Sequence, residues 1–171
     1  EIVGVDAGTS AVNGSFPIAG NGMTMNSTLA LGTVTMSIGS LDPGSANTKD
    51  VGTKGYYLAS VRAAVGSAED VTFESIRFNQ AGSAAGSDLK NVKVVVDGVD
   101  YDAQLSSDGK YYRVNFPNGI KKAKGTNVDF SVKGDLVDGS DRTDDMNILR
   151  KSDIVAKGDV FGYYMLAGGG S

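Results

Sequence analysis

Val92-Lys93-Val94-Val95-Val96-Asp97-Gly98-Val99-Asp100-Tyr101 is the stretch that decides the fold. Side chains alternate across an extended chain, so the valines at 92, 94 and 96 share one face. Asp97-Gly98 then supplies the two positive-φ positions that a tight type I′ reversal needs. The stretch predicts a β-hairpin in which Val99 and Tyr101 return alongside 92–96. The same logic carries outward along the chain. Leu105, the turn Ser107-Asp108-Gly109, and then Tyr112, Val114 and Phe116 predict a second hairpin. Val128, Phe130 and Val132 alternate with Asp129, Ser131 and Lys133, and Val34, Met36 and Ile38 alternate with Thr35 and Ser37. The valines and aromatics of 92–96, 114–116 and 128–132 are expected to face one core.

Further strands are expected at 57–65, at 71–78 and at 160–166. Within 71–78 the apolar phase changes: Val71 and Phe73 share one parity, Ile76 and Phe78 the other, which predicts a bulge near Glu74 and Ser75. Residues 143–151 fit a helix start at Asp144 and Asp145, and Met146 and Ile148 fit a strand equally. About eight short strands between Gly-rich turns give an all-β fold, an immunoglobulin-like antiparallel β-sandwich of about 7–9 strands. The expected organisation is an N-terminal extension at 1–31, the sandwich at 32–167 and a flexible tail at 168–171.

Composition narrows the function. The 171 residues hold no Cys and no His, which removes disulfides, thiolate chemistry and the Ser-His-Asp and Cys-His arrangements. The chain is expected not to be an enzyme. Of its three glutamates, Glu69 is followed by Asp70, and this pair is read as turn and edge charge that discourages stray strand pairing. A net charge of −4 disfavours nucleic acid and anionic membranes as partners. The run Lys121-Lys122-Ala123-Lys124 reads as a turn or strand edge. No apolar run is long enough to cross a membrane as a helix, and Glu1 in place of Met fits a processed or excised chain.

All 16 Lys and Arg lie at or beyond Lys49. The first 31 residues are Gly-, Ser-, Thr- and Asn-rich yet carry Ile2, Val3, Val5, Phe16, Ile18, Met23 and Met25. That apolar content is unlike a plain disordered spacer and marks these seven residues as candidate assembly contacts, through strand addition to a neighbouring copy. Asn13-Gly14-Ser15 and Asn26-Ser27-Thr28 match the N-glycosylation triplet and imply surface positions. Asp138-Gly139-Ser140-Asp141-Arg142-Thr143-Asp144-Asp145 sets four carboxylates, Asp138, Asp141, Asp144 and Asp145, within eight positions. It is a calcium candidate without EF-hand spacing; the alternative is a solvated acidic turn with Arg142 paired to a neighbouring Asp. No other cofactor is expected.

Gly32-Thr33-Val34-Thr35-Met36-Ser37, Ala68-Glu69-Asp70-Val71-Thr72 and Ile76-Arg77-Phe78 together resemble a known repeat, as do Gly82-Ser83-Ala84, Ser87-Asp88-Leu89, Val96-Asp97-Gly98, Lys124-Gly125 and Asp153-Ile154-Val155-Ala156. The resemblance, over about residues 18–164, is to tandem immunoglobulin-like repeats of very large surface-layer and adhesin-like proteins of uncultured bacteria. It implies an extracellular, cell-surface location and a structural or adhesive role, with no catalytic residues to carry over. In such proteins the stretch similar to Ile18-Ala19-Gly20-Asn21-Gly22-Met23-Thr24 sits at a junction between repeats. The expected partners are therefore other copies of the chain. The alternative is an adhesin that holds glycan or a surface protein through loops at one end of the sandwich.

Overall fold

The computed structural model describes residues 14, 20–22, 25, 29–45 and 47–169. It is an all-β sandwich of two antiparallel sheets. The strands are β1 (Val34–Ile38), β2 (Tyr56–Val65), β3 (Val71–Gly82), β4 (Leu89–Val96), β5 (Val99–Asp102), β6 (Gln104–Leu105), β7 (Tyr111–Lys122), β8 (Asn127–Leu136), β9 (Asp144–Asn147), β10 (Ile154–Gly158) and β11 (Tyr164–Met165). One sheet runs β1-β2-β8-β4-β5; the other runs β11-β10-β3-β7-β6, with β9 beside the far half of β3. The orders β1-β2-β8-β4 and β11-β10-β3 reproduce the ABED and GFC sheets of an immunoglobulin-type sandwich. β5, β6 and β7, inserted between the fourth and fifth of those strands, widen both sheets.

The hairpin of 92–101 is present, with Val96 opposite Val99 and Val94 opposite Tyr101. Asp97 and Gly98 both take positive φ, 51° and 79°. Gly98→Ala should cost about 1 kcal/mol, since a Cβ disfavours the left-handed region, and urea unfolding would register the loss. The second hairpin pairs Leu105 with Tyr112. The bulge also falls where the phase change puts it. Against β10 the consecutive residues Val155 and Ala156 face Ser75 and Phe73, leaving Glu74 as the extra residue, and the register with β7 breaks at the same place, where Phe73 lies opposite Ile120 and Ser75 opposite Asn115. The slip is what lets Val71, Phe73, Ile76 and Phe78 all be buried.

Val92, Val94, Val96, Val114, Phe116, Val128, Phe130 and Val132 are all buried in one core. Small residues face large ones along β2 and β8: Ala63 lies opposite Val128 and Ala59 opposite Val132. This leaves room for rings from both sheets to interleave. Phe130 of β8 meets Phe73 of β3 edge-on at 5.2 Å between centroids and Phe116 of β7 at 5.9 Å, and Tyr101 of β5 caps Phe116 at 5.0 Å.

Two expectations need correction and one open choice is decided. Ile38, expected on one apolar face with Val34 and Met36, is 74% exposed at the end of the edge strand β1. Residues 143–151, which fit helix and strand equally, hold the strand β9, anchored by buried Met146, and lead into a 3-10 turn at Lys151–Asp153. The strand expected over 160–166 is only Tyr164–Met165, since 160–162 turn around Glu69. Beyond the expected sandwich boundary, Gly168 forms a parallel bridge with Thr35 of β1. Its N–H donates to the Val34 carbonyl at 2.7 Å and its carbonyl accepts from Met36 N at 2.8 Å. The C-terminal segment thus leaves β10 in one sheet and joins β1 in the other.

Candidate interaction surface at the chain entry

Glu69 sits in the loop between β2 and β3, where the sequence suggests an exposed charge. It is instead 2% exposed. Oε1 accepts from Gly32 N at 2.8 Å, and Oε2 accepts from Val160 N at 2.9 Å and Phe161 N at 3.2 Å. Burial works against the charge, but these three backbone donors more than offset it and hold the carboxyl below the usual range. One side chain thus fastens the chain entering β1 to the turn between β10 and β11. Gly158 is required next to it, since a Cβ at that position would collide with the Glu69 carboxylate.

Exposed apolar residues flank this clamp. Leu29 and Leu31 lie on the entry side, and Val160, Phe161, Tyr163, Tyr164 and Leu166 follow the clamped turn, all exposed. Tyr164 is held in place by its hydroxyl, 3.2 Å from both Glu74 oxygens, and by Lys157 Nζ at 5.8 Å from its ring centre. Thr72, Glu74, Lys157, Gly158, Asp159, Val160, Phe161 and Gly162 line a shallow groove of about 400 Å³ here. Single exposed apolar residues are ordinary, but seven on the two segments that Glu69 joins are candidates for a contact surface. Of the seven candidate assembly residues, Ile2, Val3, Val5, Phe16, Ile18 and Met23 lie outside the described residues. Met25 is 92% exposed. The residues of both glycosylation triplets other than Gly14 also lie outside.

The acidic loop does not assemble a metal centre: among the described residues no three carboxylates form a group able to hold an ion. Asp138 accepts from the adjacent Gly139 N, Asp145 is reached only by Asn147 Nδ2 at 3.4 Å, and Asp144 turns inward to accept from Gln80 Nε2 at 2.8 Å. Asp141 is exposed, with a left-handed backbone. Arg142 pairs not with a neighbour but with buried Asp88, 2.7 Å away. Ala85 N and then Arg142 hold the Asp88 carboxyl below its usual range. Asp153, also buried, plays the same part for another loop by accepting from Arg77 and from Arg150 N. Glu69, Asp88 and Asp153 are therefore loop fasteners, and the sequence marks none of them as buried.

The lysine run is neutralised locally, with Lys121 on Asp159 at 2.8 Å and Lys122 on Asp97 at 2.5 Å. On the outer face of the first sheet, Arg62 holds Asp129 through two bonds of 2.7 and 2.9 Å, and Ser40 N and Oγ add two more. The Arg62 bond first, opposed by desolvation and helped by the two lesser Ser40 bonds, holds the Asp129 carboxyl far below the ordinary carboxylate range. A depressed folded pKa gives stability that is present above the unfolded value of about 3.9 and lost as pH falls through the folded one. Arg62→Met should therefore weaken the protein at neutral pH and flatten its acid limb below about pH 4, as followed by urea unfolding across pH. An acid limb unchanged from wild type would contradict this.

Neither the known protein families, the curated proteins nor the solved structures contain a match to the chain.

Proposed function

We propose that this chain is a structural unit of an extracellular bacterial surface layer or filament, joined end to end with other copies through strand and surface contacts. The observation that carries the reading is the parallel bridge between Gly168 and β1. Parallel neighbours run the same way, so the chain enters β1 at the Gly32 end while its C-terminal segment heads toward the Ile38 end. Units joined through such ends line up head to tail. Contacts of that kind are heterologous and propagate instead of closing. The exposed apolar residues at the entry end and the apolar residues of 1–25 supply surface for the contact.

The test is negative-stain microscopy of the purified chain and of a form lacking residues 1–26. Sheets or fibres from the full chain, and a folded monomer from the shortened one, support the reading. Assemblies of normal length from the shortened form rule out the linking role of that segment. The second reading, an adhesin module, is favoured by Phe161, Tyr163 and Tyr164 standing exposed near an open groove. It predicts no assembly and saturable retention on a glycan array or on a surface protein.

A further inference from the structure

Gln80 on β3 and Asp144 on β9 join through a single hydrogen bond, Gln80 Nε2 to Asp144 Oδ1 at 2.8 Å. Each is left with one oxygen that is buried and without a hydrogen-bond partner, Gln80 Oε1 and Asp144 Oδ2, and among the described side chains these are the two such atoms. An unsatisfied buried acceptor is costly, and here two acceptors belong to one bonded pair. One proton resolves both. A carboxylic acid donates through its O–H and accepts through its other oxygen, and a primary amide donates and accepts in the same sense, so the two can close a cyclic pair.

We propose that Asp144 and Gln80 form a proton-operated latch between β9 and β3. On acidification Asp144 Oδ2 takes a proton from solvent and donates it to Gln80 Oε1, while Gln80 Nε2 continues to donate to Asp144 Oδ1. At neutral pH the carboxylate keeps one bond, and the two buried oxygens go without a partner. The charged and titratable groups around the pair act in the same direction or are already committed. Asp145, next along β9, opposes a second negative charge. From β7, Tyr112 is 3% exposed and its hydroxyl is pushed up to about 12, by burial first and then by Asp144 and Asp88, so it stays neutral. Asp88 is paired with Arg142. Burial, followed by Asp145 and against the Gln80 bond, raises the Asp144 carboxyl above its ordinary value.

The latch lies on the inward face of a sheet edge, the face that also carries buried Phe78 and Met146. β9 is four residues long and its bonds to β3 run from Asn79 to Gly82, so the strand it tightens is the one that covers the upper half of that edge. A raised folded pKa contributes stability that is fully present below the unfolded value of about 3.9 and is lost as pH rises through the folded one. Asp144→Asn mimics the protonated acid, since its amide can donate to Gln80 Oε1 at every pH.

The experiment is urea unfolding of wild type and Asp144→Asn from pH 3 to 8, together with NMR titration of wild type following the Asp144 carboxyl carbon and the Gln80 side-chain amide. The folding constant of wild type relative to the variant should fall as pH rises, by up to about tenfold per unit between the two pKa values, and should level off near neutrality with the variant ahead. The Gln80 amide should shift with the Asp144 midpoint, which should lie above that of an ordinary aspartate. A ratio that stays flat across pH overturns the latch, as does an ordinary midpoint or a Gln80 amide that ignores it. The NMR arm needs no variant, so it decides the matter even if Asp144→Asn does not fold.

Discussion

Phe130→Ala should lower stability by about 3–5 kcal/mol, and for a domain of this size that lowers the melting temperature by about 6–20 °C. The reason is position more than size. Phe130 is fully buried on β8, between β2 and β4 at the middle of its sheet, and it is the ring that both Phe73 and Phe116 of the opposite sheet meet. Truncation removes its own contacts, takes away the ring that Phe73 meets and leaves Phe116 with Tyr101 alone. The surrounding valines are β-branched and held by two strand ladders, so the site can collapse only partly. Calorimetry on the variant checks the figure. A loss under about 1 kcal/mol would mean that the sheets close over the gap and that the aromatic cluster is not the keystone described above. Phe130→Leu, which refills most of the volume, should recover much of the loss.

The second large effect is expected at the entry clamp. Gly158→Ala drives a methyl group into the Glu69 carboxylate and should cost about 1–3 kcal/mol, as overpacking of a closed site does. Glu69→Ala leaves the same backbone but strands the N–H groups of Gly32, Val160 and Phe161. Hydrogen exchange separates this from a general loss of stability. In Glu69→Ala the three amides should exchange at rates near those of open loops, while amides of β3 and β8 keep most of their protection. Protection retained at Gly32 would show that the entry segment is held by something other than this carboxylate. Under the proposed end-to-end assembly, both variants should also weaken it, because they loosen the entry to β1.

How much of this could be read from the sequence depends on how far apart the partners lie. The Asp97-Gly98 hairpin, the Glu74 bulge and the eight core residues follow from alternation within a few positions, and each is found where the alternation puts it. The immunoglobulin-type sandwich follows from many such strands between glycine turns. β9 is different: with one anchoring side chain, Met146, its period is too short to separate strand from helix. The role of Glu69 is hidden for another reason. Its partners are 37, 91 and 92 residues away and are backbone N–H groups, which carry no residue-type signature. The acidic loop misleads in a similar way. Four carboxylates within eight positions resemble a hard-oxygen cradle, yet one turns into the core toward Gln80 and the arginine among them reaches back 54 residues to Asp88. Local clustering in sequence did not survive as clustering in space.

The bridge between Gly168 and β1 has a mechanical meaning as well. If neighbours pull on the two ends of the unit, the entering chain is drawn one way and the leaving segment the other, along strands that lie side by side and point in the same direction. The two bonds that Gly168 makes to Val34 and Met36 then lie across the pull and are loaded together in shear, where a hairpin-like exit would let them open one at a time. The Glu69 carboxylate, gripping Gly32 just ahead of β1, takes up the same load on the entering side. Resistance to pulling is set by the rate of unfolding under force and not by the equilibrium stability. A small number of well-placed bonds at one edge can therefore protect the core of a unit loaded in this way.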